Sequence, residues 1–391
     1  MRIHLERVLR VARSYDALVV GGGPAGSAAA ITLARRGARV LIIDRRAFPR
    51  DKVCGGLLTN KAVALLQDAL SVDPRATNHF TTRGFELYSR NVLLNRAYGL
   101  HDLLFVPRSS FDHQLLSTAL DLGCHFHQAH LPQLPEGHAL DLPQCAVTFN
   151  YIIGAFGASS TIAASPNRRR CTATRADAAV RSRTAFGMQA RVPASLLYDR
   201  ADALPRVYFG YTRCGWAWVF PHGDTAEVGI GGIGLHHQAR QHLREFCSSI
   251  GLRDLSLLAH ARGAWIPYGM FLTRPASANT LLVGDAAGFV EPITGEGIYY
   301  ALLSGYLAAI AIVEHNHSAP DAYISACHDQ ILPELRSARR LRPLLFNRWL
   351  APISLACIRR DARHMRRYLR LLAGDISYRG YFMRFFDHHD S

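Results

Sequence analysis

Lysine is almost absent. Lys52 and Lys61 are the only two in 391 residues, so nearly all of the 45 basic residues are arginine. Against them stand 30 acids, which leaves a formal charge of +15. None of the eight cysteines forms a Cys-x-x-Cys pair, which argues against a zinc ribbon and a disulfide framework. Reduced thiols in a cytoplasmic setting are the expectation. No apolar run is long enough to cross a bilayer; the longest, ALLSGYLAAIAIV at 301–313, reads as a buried helix. The opening MRIHLERVLRVARSYD breaks every apolar pair with a charge and lacks the continuous core of a secretion signal. Repeats and low-complexity tracts are missing too. With 49% hydrophobic and 19% charged residues, the composition is globular and the length suits two closely joined domains.

The positive charge is concentrated late. Residues 331–391 hold thirteen arginines and five acids, including Arg359-Arg360, Arg363, Arg366-Arg367 and Arg370. This is either a solvated helix face or a surface for anionic lipid or an acidic protein, making the protein peripheral to a membrane in the lipid case. No nucleic-acid reader motif accompanies the charge, so nucleic acid is not expected. His125, His127 and His130 have metal-like spacing but no cysteine or acid beside them, and no metal site is expected.

Residues 15–46, YDALVVGGGPAGSAAAITLARRGARVLIIDRR, predict strand, glycine turn, helix and strand. Helical spacing follows at 58–70, strands over 72–107, a helix at 111–123 and a strand ending near 153. Residues 164–183 suggest a crossing loop. Strands dominate 185–280, with a helix at 236–249, and 281–313 returns to strand, loop and long helix. The fold class expected is α/β: a Rossmann-like nucleotide-binding domain (1–71, 108–163, 281–320) with an inserted β-sheet substrate domain (72–107, 164–280) and a C-terminal helical tail (321–391).

Two glycine-rich elements carry the cofactor assignment. Gly21, Gly23 and Gly26, with Pro24 and Ala25 between them, form G-x-G-x-x-G between strand and helix, where backbone N–H groups meet a pyrophosphate. Asp44, followed by Arg45, ends the second strand where a carboxylate accepts a ribose hydroxyl. Near the other end, VGDAAGFVEPITGEGI supplies Gly284, Asp285 for a polyol, Pro292, and Gly295, Gly297 and Ile298 opening a helix. The positive end of that helix suits the negative charge of a reduced flavin. Elements at both ends of the chain fit one FAD better than two nicotinamide dinucleotides.

From about Tyr15 to Ala309 the chain resembles FAD-dependent oxidoreductases of the p-hydroxybenzoate-hydroxylase fold, and within them the geranylgeranyl reductase family. The resemblance rests on the glycine fingerprint with PRDKVCGG behind it, on GWAWVFP, and on GDAAGFVEPITGEGIYYA. It implies that Lys52, Cys54, Gly55 and Arg108 lie near the flavin. Cys54 would assist proton delivery, with Lys52 as its neighbouring cation, or would simply fill a small apolar site. Glu296 would donate a proton or tie down its loop. It also implies that Trp216, Trp218, Phe220 and Pro221 line a cavity for a hydrophobic substrate, with Gly229 and Gly231 matching later family glycines. Alternation sends both indoles and the Phe220 ring to one face; they either form a cavity wall or fill the core.

The activity implied is reduction of C=C bonds in a polyprenyl substrate. The alternatives are a monooxygenase or halogenase acting on an aromatic or carrier- or peptide-bound substrate, and a flavin-stabilised binding partner. Halogenases share the doubled tryptophan and place a reactive lysine in the cavity. Here, however, Phe220 stands where they have isoleucine, and Lys52 lies in a Lys-x-Cys-Gly-Gly loop that resembles the reductase one. One departure from related flavoproteins is Gly154-Ala155-Phe156-Gly157 where Gly-Ala-Asp-Gly is usual. Losing that aspartate points away from direct NADPH reduction and toward another external electron donor, ferredoxin or a flavin reductase.

Overall fold

A computed structural model describes residues 13–143, 145–158, 184–198, 203–373 and 375–383. The crossing loop expected at 164–183 lies outside the described residues. Two sheets organise the chain. In the first, strands β1 (Arg13–Val20), β2 (Val40–Asp44), β6 (His125–Gln128), β8 (Ala146–Gly154) and β15 (Thr280–Leu282) run parallel in the order β15-β8-β1-β2-β6. Short antiparallel strands β7 (Ala139–Asp141) and β14 (Ala276–Ser277) pair with β8 and β15. Ala17–Val20 of β1 and Val40–Ile43 of β2 are continuous apolar runs, buried on both faces of the sheet.

Helix α1 (Pro24–Ala34) follows the glycine turn, and Gly37, with positive φ, helps end it. It packs on the long helix Ile298–His315, the apolar run foreseen as buried. The helices meet at Gly305, where a Cβ would collide with the Ala25 carbonyl. Between them in sequence, the stretch expected as one helix at 58–70 divides into β3 (Leu57–Leu58), α2 (Asn60–Ala64) and a wide π-turn at Leu65–Ala69. Leu66 and Leu70 of this segment face the core. Helix α3 (Arg108–Asp121) begins directly after Pro107, three residues earlier than its periodicity suggests.

The second sheet has the order β13-β9-β12-β11-β10-β4-β5-β3, eight strands among the described residues. Its members are β4 (Phe80–Ser89), β5 (Val92–Phe105), β9 (Ala185–Pro193), β10 (Arg206–Phe209), β11 (Gly215–His222), β12 (Thr225–Ile233) and β13 (Arg262–Ile266), with β3 at one edge. The two faces of β11 divide as alternation requires. Ala217 and Val219 pack with β12 and with helix α4 (Ala239–Ser249) through Leu243 and Phe246. Trp216, Trp218 and Phe220 face the opposite side.

The long helix Ile298–His315 is α5, followed by α6 (Ala319–Gln330), α7 (Leu332–Phe346), α8 (Leu350–Arg360), α9 (Ala362–Ala373) and α10 (Tyr378–Met383). These helices are more than an appended tail. Ile358, Met365 and Tyr368 pack with Phe85, Trp218 and Phe220, covering the aromatic face of the second sheet.

Candidate active site

The carboxyl ends of β1, β2, β8 and β15 open onto a cavity of ≈ 840 Å³ whose far wall is the second sheet. Ligands of open parallel sheets bind at this end of the strands. Gly21 (φ +115°) leaves β1 so close to β8 that a Cβ would come within 2.7 Å of the Ala155 carbonyl carbon. A Cβ on Gly26 would strike the Gly21 carbonyl oxygen, so this glycine permits close strand–helix packing rather than lining the cavity. Gly21, Gly23, Pro24 and Ala25 do line it. Gly23 caps α1 with no side-chain acceptor, so N–H groups of the first turn remain for an anion. Asp44 Oδ2 accepts from Gly22 N–H at 2.8 Å, and Oδ1 accepts from Arg46 N–H at 2.9 Å. Arg45 is an exposed part of the rim.

A buried charge cluster stands behind this turn. Asp112, fully buried on α3, receives two hydrogen bonds from Arg108, at 2.8 and 2.9 Å, and a contact from Arg50 at 3.3 Å. Two guanidiniums on one carboxylate leave the wall net positive, and Arg50 stands beside Gly23 at the start of α1. Burial pulls the Arg50 guanidinium below its ordinary value, against Asp112 and Asp44. Burial would also lower Arg108, but Asp112 and then Cys54 beside it hold it above its usual value.

Arg108 is therefore the cation next to the Cys54 thiol, to which Gly56 N–H also donates at 3.4 Å. Lys52, expected there from the sequence, instead reaches Asp285, Nζ to Oδ2 3.7 Å. Lys52, Cys54, Gly55, Arg108 and Asp285 all line the cavity.

Gly295, Gly297 and Ile298 bring the start of α5 to the same cavity, again without a side-chain cap. Glu296 points elsewhere. Its carboxylate pairs with Lys61 Nζ at 2.6 Å and accepts from Thr59 Oγ1 at 2.6 Å, which favours a tie between loop and α2 over a proton donor. Burial alone would lower Lys61, yet Glu296 holds its ammonium above the ordinary value. Gly284 and Pro292 stand behind the wall. Gly284 packs against Ala25 and Ala301 and donates its N–H to Ser304 Oγ at 2.8 Å; Pro292 packs at Gly269.

Trp216 and Trp218 line the cavity from the second sheet, with ring centroids 5.1 Å apart. Phe220 and Pro221 do not. The Phe220 ring packs directly against Gly55 and forms a core cluster with Phe85 and Phe105. The remaining wall was not legible locally, because it comes from β9 and β13: Gly187, Gln189, Gly263 and Trp265. Arg262 on β13 pairs with Asp51 at 3.0 Å, joining the second sheet to the PRDKVCGG loop. Arg50 lies inside that motif, but nothing in the sequence pairs it with Asp112.

Two uncapped helix N-termini, a glycine cradle and a positive wall share one cavity, which fits an extended anionic dinucleotide. Residues 16–130 match the FAD dependent oxidoreductase family. The chain is 31% identical over 320 residues to a menaquinone reductase of Mycolicibacterium smegmatis, covering 75% of each protein. It is 28% identical over 330 residues to a geranylgeranyl diphosphate reductase of Rhodobacter capsulatus, covering 76% of this chain and 74% of the relative. A geranylgeranyl bacteriochlorophyll reductase-like protein of Thermoplasma acidophilum has the same fold, with a TM-score of 0.71 at 21% identity over 90% of this chain and 92% of that one. The cavity belongs to an FAD-dependent enzyme, and the chain is a member of the geranylgeranyl reductase family of FAD-dependent oxidoreductases.

Proposed function

We propose that the protein reduces C=C bonds of a polyprenyl-type substrate, using electrons from an external donor. The observation that carries this reading is the pair of indoles, Trp216 and Trp218, in one cavity with the dinucleotide cradle. Their rings offer a broad apolar wall to a chain without polar groups. The relatives named above add support: a menaquinone and a geranylgeranyl diphosphate differ in head group and share a prenyl chain. Bound FAD, once reduced, supplies the hydride. Gly23 and the α1 N-terminus, with Arg50, would hold the diphosphate, and Asp44 the ribose. Asp285 and the start of α5 would hold the flavin end. Trp216 and Trp218 would orient the alkene and exclude water, while Cys54 Sγ, beside Arg108, would deliver the proton that completes the reduction.

The lysine positions support this reading over a halogenase. Lys61 is held by Glu296 beneath Tyr299 and Tyr300, and Lys52 is held at Asp285 on the cofactor side. Phe156 lines the cavity where an aspartate is usual, beside Leu282 and Leu134 around Gly154, and offers a nicotinamide dinucleotide no polar contact. This supports ferredoxin or a flavin reductase as donor. The decisive test reduces the bound flavin chemically without oxygen and adds a geranylgeranyl lipid. Return of the oxidised spectrum with a saturated product is expected. If only oxygen restores it, the monooxygenase or halogenase reading replaces this one. Rapid bleaching by NADPH alone would overturn the donor assignment.

A further inference from the structure

Helix α8 is apolar on two opposite sides. Leu355 and Ile358 turn inward onto the cluster that contains Trp216, Trp218 and Phe209, and Ile358 is buried. On the outer side, Ile353 is 64% exposed, Leu350 41% and the preceding Trp349 70%. Leu344, near the end of α7, is exposed as well. A helix that is hydrophobic all round is normally buried all round. Here one side faces solvent, and a largely exposed Trp and Ile one turn apart form a protruding apolar patch.

The charges around the patch indicate what covers it. Arg348 stacks over the Trp349 ring at 4.4 Å, and Arg359 and Arg360 end α8 in exposed positions. Arg363 and Arg366 continue the exposed basic surface onto α9. Asp361, the acid between them, is occupied by Arg363 at 2.9 Å. An apolar ridge with tryptophan at its base and arginines at its flank matches the interface of a bilayer with anionic head groups.

We infer that the Trp349–Leu350–Ile353 ridge of α8 inserts into the surface of an anionic bilayer while the flanking arginines contact its head groups. The protein thereby rests on the membrane through the helices that cover its tryptophan wall. Leu355, Phe346 and Ile358 then form an apolar layer between the exposed Trp349 and Ile353 and the Trp218 wall of the cavity. Binding to the surface is independent of the reaction; only the use of that layer as a lipid route rests on the polyprenyl reading.

The test is flotation of the flavin-loaded full chain with phosphatidylcholine vesicles, with and without phosphatidylglycerol. Flotation is expected only with the anionic vesicles, and is expected to be largely lost near 1 M salt, where the screening length is roughly 3 Å. Trp349→Ser/Ile353→Ser should lower the bound fraction by roughly tenfold or more, and Arg359→Gln/Arg360→Gln should weaken it. Flavin content and melting temperature should stay unchanged in both variants. Absence of wild-type binding, or equal binding by the serine variant, overturns the inference. A dimer that the serine variant dissociates would do so too, because a second copy would then cover the ridge. Alkene reduction in detergent is measured beside flotation: its failure alone removes the polyprenyl reading, and failed flotation alone removes the membrane surface.

Discussion

Trp218 on β11 faces Gly229 on β12 as its cross-strand partner, and the indole occupies the space a side chain at Gly229 would need. A Cβ there would lie 2.8 Å from Trp218 Cη2 and closer still to Cζ2. Gly231 opposite Trp216, and Gly187 next to Gly231 on β9, continue this floor. The doubled tryptophan and the glycine-punctuated strand after it are therefore one device: the strand gives up its side chains so that the rings can lie against it. Gly229→Ala should push the indole toward the cavity and destabilise the fold by about 2 kcal/mol, the usual scale of overpacking. KM for a prenyl substrate should rise more than kcat falls, which steady-state kinetics beside a melting curve would check.

At the other end of the cavity, Gly26→Ala should separate α1 from the β1 turn, because the new methyl meets a backbone oxygen that cannot rotate away. Strain of about 1–3 kcal/mol at the cradle corresponds to roughly a 5- to 150-fold loss of cofactor affinity. The purified variant should lose most of its flavin absorbance while far-ultraviolet circular dichroism stays native. Full retention of yellow colour would contradict the cradle.

Glu296→Gln separates the two roles considered for that residue. As a tie it leaves the Lys61 ammonium without its anion, and the fold should lose about 3 kcal/mol. Turnover by the folded fraction should stay within about twofold of wild type, since a side-chain tie of this kind makes no differential contact with the transition state. A large fall in kcat with an unchanged melting temperature would restore the proton-donor role. Cys54→Ala makes the complementary case: flavin retained, kcat lowered by roughly 10²-fold, the scale of a lost general acid.

Acid sensitivity should trace to His222 at the end of β11. Burial first, and Arg191 next, lower its pKa to about 4, and its Nε2 makes no hydrogen bond among the described residues. The folded state thus keeps His222 neutral while the unfolded chain, near 6.5, takes up a proton. Its contribution is fully present above pH 6.5 and is lost as pH falls toward 4, by about 3 kcal/mol in all. Glu227, 3.9 Å away, is raised by burial and acts in the opposite sense, its neutral form being favoured in the fold. Thermal melts of wild type and His222→Gln between pH 4.5 and 7 isolate the histidine: the variant should have the flatter profile.

The sequence by itself determined the FAD end of this protein. Strand, glycine turn, helix and Asp44 lie within about thirty consecutive residues, and short-range spacing is enough to build a cradle from backbone N–H groups. Alternation along β11 likewise settled which residues share a face. It did not settle what each ring meets: Trp216 and Trp218 line the cavity, whereas Phe220 packs behind Gly55 in the core. The tertiary structure alone joined Arg50 to Asp112, exchanged Lys52 for Arg108 beside Cys54, and turned Glu296 onto Lys61. It also supplied the β9–β13 wall and laid α8 and α9 over the aromatic sheet face. Each of these depends on side chains from separate segments meeting across an interface. A one-dimensional pattern records which side of a strand or helix is apolar, and the partner for that side is chosen only when the whole chain packs.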